Sequence, residues 1–269
     1  MGKQSLLKER ISLHKRREER LDFKNIELIS KEQAKQFADW GEHINKVLEN
    51  PKLKTTLKSI ANGIELFYQR QPYIQEMLLK EGWFVNPSLT PGDLYELEDR
   101  YKEEEDNFKK QNIVNEFFLE CFPASELLNM LDKWVSDERL KDHKGVLTHM
   151  INEYVAKDYI SSLHITVAKI EDLIVNLIMP NEGFVSHAKI KKKLTQTYDS
   201  IIPKDGVKQY LFRMGKSFLE DEYFKTFDRK QEVTLSRHSI SHGAYKGDYT
   251  QIDALRYILL YDLLYDSLK

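Results

Sequence analysis

The sequence predicts an all-α protein: an up-and-down helical bundle preceded by an additional N-terminal helical region. Its 269 residues hold only 11 Gly and 7 Pro, and Leu, Lys and Glu are abundant. Few breakers and many strong helix formers favour helices. No segment alternates apolar and polar residues between hairpin turns, as a half-buried strand would. No repeat of solenoid period is present either.

The elements follow in order. Residues 1–24 carry eight Lys or Arg against four acids, with Leu6, Leu7, Ile11 and Leu13 interleaved; this reads as a basic arm for RNA or as a solvated helix face. Ser30-Lys31-Glu32-Gln33 has the form of a capping box opening a helix through Phe37, Trp40 and Ile44 to Leu48. Further helices are expected over about 54–69 and 72–80, the latter ended by Gly82. Trp83 to Pro87 reads as an extended connection packed on the bundle. Thr90-Pro91 looks like an N-cap followed by proline at the first helical position. The charged run Glu96–Asp106 reads as a solvated face and a soft domain boundary. We therefore expect a region of unknown role over 1–112 and a bundle over 113–269.

In the second region, Ile160, Leu163, Val167, Ile170, Ile174, Leu177 and Ile178 repeat at helical spacing and predict one apolar face over 159–178. His164 and Glu171 share a stripe at its edge, where Glu171 is either a carboxylate orienting a catalytic His or an ordinary boundary acid. Pro180 to Gly183 ends that helix. His187, Lys189, Lys191, Lys192 and Lys193 follow as a basic cluster, either a phosphate-binding rail or a solvated face. The last helix, about Tyr249 to Leu268, is apolar almost all round and is expected to be central in the bundle or shared with a second subunit. Its stripe of Tyr257, Tyr261 and Tyr265 suits a core or interface edge better than a stacking platform.

Composition excludes some functions. With 41 basic and 43 acidic residues the formal charge is −2, so global charge does not drive nucleic-acid binding, and any RNA contact depends on local patches. One cysteine, Cys121, rules out an intramolecular disulfide and is expected to be a buried inert thiol. No signal-like segment and no long apolar run is visible. A cytoplasmic protein with no membrane partner is the simplest expectation.

The chemistry concentrates in Ser236-Arg237-His238-Ser239-Ile240-Ser241-His242-Gly243. Arg237 supplies a permanent planar cation able to hold two phosphate oxygens in a fork. His242, five positions on, can take or give a proton near neutral pH. Those two roles suffice for RNA cleavage when the substrate's own 2′-hydroxyl is the nucleophile. His238 and His242, four apart, would also suit half of a zinc site, but Ser239 stands where a zincin has Glu. No cofactor or metal is expected.

The run from Arg237 to Gly243, leading through Gly247-Asp248-Tyr249 into the apolar stretch Asp253 to Leu264, resembles the HEPN (higher eukaryotes and prokaryotes nucleotide-binding) superfamily. That family's motif is Arg-x4-6-His, usually with Asn, Asp or His after the Arg. A looser likeness reaches back to about residue 113, and Gly82-Trp83-Phe84 is similar to a short upstream element of some members.

The resemblance implies a four- or five-helix bundle, commonly a homodimer, in which two motifs face one another across a two-fold axis and make a composite site. It further implies a metal-independent endoribonuclease leaving a 2′,3′-cyclic phosphate and a 5′-hydroxyl. His242 would transfer protons, Arg237 would stabilise transition-state charge and His238 would orient the phosphate or His242. The setting implied is a bacterial stress or phage-defence effector, with a possible neutralising or activating protein partner. Two alternatives stand beside it: a non-catalytic nucleotide- or RNA-binding module of the same type, and a helical interaction scaffold in which Arg237 pairs with a carboxylate.

Overall fold

The structure is a computed structural model, and it describes residues 65–66, 69–179, 182, 185–201, 215–216, 218–224, 235–241, 245 and 247–268. The helices expected around Ser30 and over most of 54–69 lie outside the described residues, as does His242. Among the described residues the secondary structure is helical, without a strand. The expected all-α class is therefore observed.

Two compact units are present. The first comprises the described residues up to Glu81 together with Pro91–Glu98, and the second comprises Gly82–Thr90 and Asp99–Lys269.

In the first unit, helix α1 covers residues 69–80, with Ile74, Met77 and Leu78 buried. Helix α2, Pro91–Glu103, of which only Pro91–Glu98 belongs to this unit, begins at the proline because its missing N–H is one the first turn leaves unsatisfied anyway. Leu94 and Leu97 of α2 are buried. Arg70 forms an ion pair with the buried carboxylate of Glu98 and stands 4.5 Å over the Tyr95 ring.

The second unit opens where Gly82 adopts φ 78°, a left-handed conformation that only glycine takes cheaply and that stops α1. Trp83, Phe84 and Val85 follow as a buried, non-helical connection. Trp83 stacks on Phe118 with ring centroids 4.0 Å apart.

Helices α3 (Asn107–Cys121) and α4 (Ala124–Val135) come next; the expected 112/113 division falls within α3. A 3-10 turn over Glu138–His143 leads into α5 (Lys144–Val155). Helix α6 (Tyr159–Ile178) is capped by Asp158, whose side chain accepts from the Ser161 N–H. Helix α7 spans His187–Ile201, a π-helical turn spans Leu219–Tyr223, α8 spans Arg237–Ser241 and α9 spans Gln251–Leu268.

Packing in this unit is organised by α6 and α9. Helix α9 lies against α6 and also touches α3 and α5, while α5, α7 and α8 each pack on α6. Helix α9 is buried from Ala254 through Tyr265 with Arg256 excepted, which places all three stripe tyrosines in the core. A helix with no continuous polar face is stable only when surrounded in this way.

Asp262 sits fully buried in the middle of α9 and is held by three donors. The Lys133 ammonium is 2.6 Å away, the Trp134 indole N–H donates at 3.0 Å and the Asn86 amide donates at 3.3 Å. A buried carboxylate is tolerable only with such partners. Burial lowers the proton affinity of Lys133, but the charges and hydrogen bonds of Asp262 and Asp266 outweigh it and its pKa is raised.

Two expectations need correcting. Ile160, expected on the apolar face of α6, is 52% exposed; it is the second residue of the helix, where coverage of that face has not yet begun. Cys121, expected to be buried, is half-exposed at the last position of α3. No helix among the described residues is long and apolar enough to cross a membrane.

Candidate functional site

The residues before Arg237 explain why a helix starts there. The Ser236 hydroxyl accepts from the Ser239 N–H at 3.3 Å, and the Ser239 hydroxyl in turn accepts from the Ser236 N–H at 2.8 Å. This is a capping box in which Ser239 stands in for the usual Glu or Gln. Both serines are fully buried, so their hydroxyls satisfy backbone donors that water cannot reach. Arg237 thereby becomes the first helical residue, and His242 comes directly after the last one, Ser241.

Helix α8 is anchored through a buried side chain and through hydrogen bonds at both of its ends. Ile240 is 1% exposed and supplies the apolar contact that a five-residue helix needs, since such a helix has no stability of its own. The Tyr257 hydroxyl on α9 donates to the Leu235 carbonyl at 3.4 Å, tying the approach to the motif to the central helix. After the motif, the Tyr245 N–H donates to the Ser239 carbonyl at 3.2 Å.

Arg237 lies across α6. Its Nε is 2.7 Å from Oε1 of Glu171, and its Nη2 donates to Oε2 at 3.4 Å. Both side chains are about four-fifths covered, with exposures of 20% and 21%. The guanidinium presents one edge to the carboxylate, a two-point geometry open to Arg and closed to Lys.

Within electrostatic reach of this pair, the fully buried Tyr223 donates its hydroxyl to the Val167 carbonyl at 2.7 Å. Burial first, and then the charge of Glu171, hold its pKa well above the ordinary tyrosine value. Tyr223 therefore stays a neutral phenol.

The structure brings together Arg237 and Glu171, with Tyr223 within electrostatic reach of both; His238 follows Arg237 in α8. Glu171 pairs with the Arg237 guanidinium. In the sequence Tyr223 is one aromatic among the apolar positions between Met214 and Phe227 and carries no distinguishing signal.

The basic cluster lies on α7, which packs on α6. Lys189, Lys191 and Lys192 are exposed and Lys193 half-exposed, while Ile190 and Leu194 face the core. Lys189 is paired with Glu182 and Lys191 stands 5.1 Å over the Phe224 ring. Among the described residues no contact joins these lysines to Arg237. Nor do three or more His, Cys, Asp or Glu side chains gather there in a group able to hold a metal ion.

Comparison with protein-family models, with curated proteins and with solved structures finds no match to the chain.

Proposed function

We propose that the protein is a metal-independent endoribonuclease of HEPN type, with Arg237 and His242 as catalytic residues and His238 as their neighbour. The observation that carries this reading is the placement of Arg237. It begins a short capped helix, is aligned edge-on by a carboxylate and retains partial exposure, in the sequence context Arg-x4-His. A guanidinium has five N–H donors; the Glu171 contact uses Nε and one Nη2 hydrogen, and the remaining edge suits two oxygens of a phosphate.

In the reaction the substrate's 2′-oxygen attacks the adjacent phosphorus as its proton passes to a base, and the P–O5′ bond breaks as the 5′-oxygen takes a proton. His242 serves one or both proton transfers. Arg237 stabilises the added negative charge on the phosphorane-like transition state. The products are a 2′,3′-cyclic phosphate and a 5′-hydroxyl, and DNA, which lacks the internal nucleophile, resists. In this reading the protein acts as a homodimer with a composite site in the bacterial cytoplasm, as a stress or phage-defence effector under the control of a protein partner.

The Arg237–Glu171 ion pair also favours a second reading, a helical scaffold in which the arginine is structural. The deciding experiment compares the wild-type protein with His242→Ala on labelled single-stranded RNA, with a 2′-deoxy control, in excess EDTA. Cleavage that survives EDTA, needs the 2′-hydroxyl and is lost in the variant is the expected result. Cleavage abolished by EDTA, or equal in the variant, refutes the proposal.

A further inference from the structure

Three rings lie beside the motif and outside the core. His164 occupies the same stripe of α6 as Glu171, seven residues earlier, which is two helical turns or about 10 Å along the axis. The Tyr249 ring sits 5.6 Å from the His164 imidazole at an interplanar angle of 57°. Tyr245 lies 5.1 Å from Tyr249 at 58°. His164 is exposed, and both tyrosines are half-exposed.

The cluster is tethered at both ends. Tyr245 is tied to the motif helix by its N–H bond to the Ser239 carbonyl. His164 is fixed on α6 by donation from Nδ1 to the Ile160 carbonyl at 2.8 Å, which leaves Nε2 as the ring nitrogen with the lone pair in the neutral imidazole. Gly247 closes the loop: a Cβ there would lie 2.5 Å from the Tyr245 hydroxyl, so any side chain at 247 displaces that ring. Tyr245 and Tyr249 keep partial exposure, whereas the core tyrosines Tyr257, Tyr261 and Tyr265 are at most 1% exposed.

We propose that Tyr249, flanked by His164 and Tyr245, is a stacking subsite for a base of single-stranded RNA, one or two nucleotides from the phosphate held by Arg237. The subsite rests on the ribonuclease reading and extends it to substrate recognition. Stacking on an aromatic face is tolerant of base identity, because every base has a π-face. The subsite therefore supplies affinity and register for unpaired RNA and discriminates against duplexes, whose bases are already stacked. The overall charge of −2 makes such a non-ionic contribution more consequential than in a basic protein.

The test uses a short 2′-O-methyl RNA, which cannot be cleaved, containing 2-aminopurine, whose fluorescence is quenched by stacking. Full-length wild type, Tyr249→Leu and Tyr249→Phe are titrated with it, and KM and kcat are measured in parallel on cleavable RNA. Wild type and Tyr249→Phe are expected to quench the probe. Tyr249→Leu is expected to lose the quench and to raise probe Kd and KM by about 5- to 150-fold, with kcat changed little. If wild type cleaves RNA but Tyr249→Leu keeps both quench and KM, the subsite is wrong and the ribonuclease stands. If wild type quenches through Tyr249 without cleaving RNA, the subsite stands and the ribonuclease falls. If it neither binds the probe nor cleaves RNA, both fall.

Discussion

A double-mutant cycle on Arg237 and Glu171 separates the two readings of the motif arginine. The closest approach is 2.7 Å, which at an effective dielectric near 20 corresponds to a gross attraction of about 6 kcal/mol. Desolvation of two largely covered charges removes most of that. Hydrogen bonds to charged groups retain about 1.5–3 kcal/mol net, and the measured coupling is expected in that range. Arg237→Ala, Glu171→Ala and the double variant are to be unfolded in urea, with cleavage measured on each folded protein. Either single variant should lose more stability than the coupling alone, because each deprives a largely covered charge of this contact. If Arg237 is catalytic, Arg237→Ala should also lower kcat/KM by about 100-fold or more, and Arg237→Lys, which keeps the charge but loses the fork, should not restore it. A coupling below about 0.5 kcal/mol would refute the ion pair as a structural element. A folded Arg237→Ala protein with undiminished cleavage would refute the catalytic assignment and leave the scaffold reading ahead.

The Asp262 network and the buried tyrosines yield two further expectations. Asp262→Ala strips the acceptor from the indole N–H of Trp134 and the amide of Asn86, both fully buried, and should cost about 3–5 kcal/mol in urea unfolding. Asp262→Asn, which keeps one acceptor oxygen, should cost clearly less, and an alanine variant within about 1 kcal/mol of wild type would show that the network adds nothing. Burial pushes the Tyr154 phenol up to about 12 from 10.0, and burial together with the hydrogen bond to Asp137 does the same for Tyr265, to about 12. Because the raised folded-state values favour the neutral phenol, this stability is complete below pH 10.0 and is lost as pH climbs towards about 12. Denaturant melts across that window, with phenolate absorbance followed in parallel, should show falling stability as pH rises; ionisation of every tyrosine at its ordinary value would contradict it.

Much of the fold was legible because it depends on local pattern. The apolar period over 159–178 anticipates α6, Pro91 marks the start of α2, Gly82 marks the end of α1, and the unbroken apolarity after Tyr249 anticipates a buried terminal helix. These features arise from helical periodicity, backbone dihedral limits and the absence of a polar face. The motif was legible for a different reason: Arg, His and their spacing are chemical statements that need no fold. Less accessible were contacts between residues far apart in the chain. Asn86 and Asp262 are 176 positions apart, and Arg237 and Glu171 are 66 apart; nothing in either local stretch names the other.

Ile160 and Cys121 show the limit most plainly. Both satisfy the local pattern of buried residues, and both lie at helix ends that the neighbouring elements fail to cover. Periodicity assigns a face to each residue, but how far along the helix that face stays covered depends on the length and placement of whatever packs against it. The same holds for Tyr249 and Tyr257. Residue type, distance along the chain and helical stripe do not distinguish a partly exposed ring near the motif from one sealed in the core. The arrangement of α6, α8 and α9 does, because burial belongs to the assembled surfaces and not to any one segment.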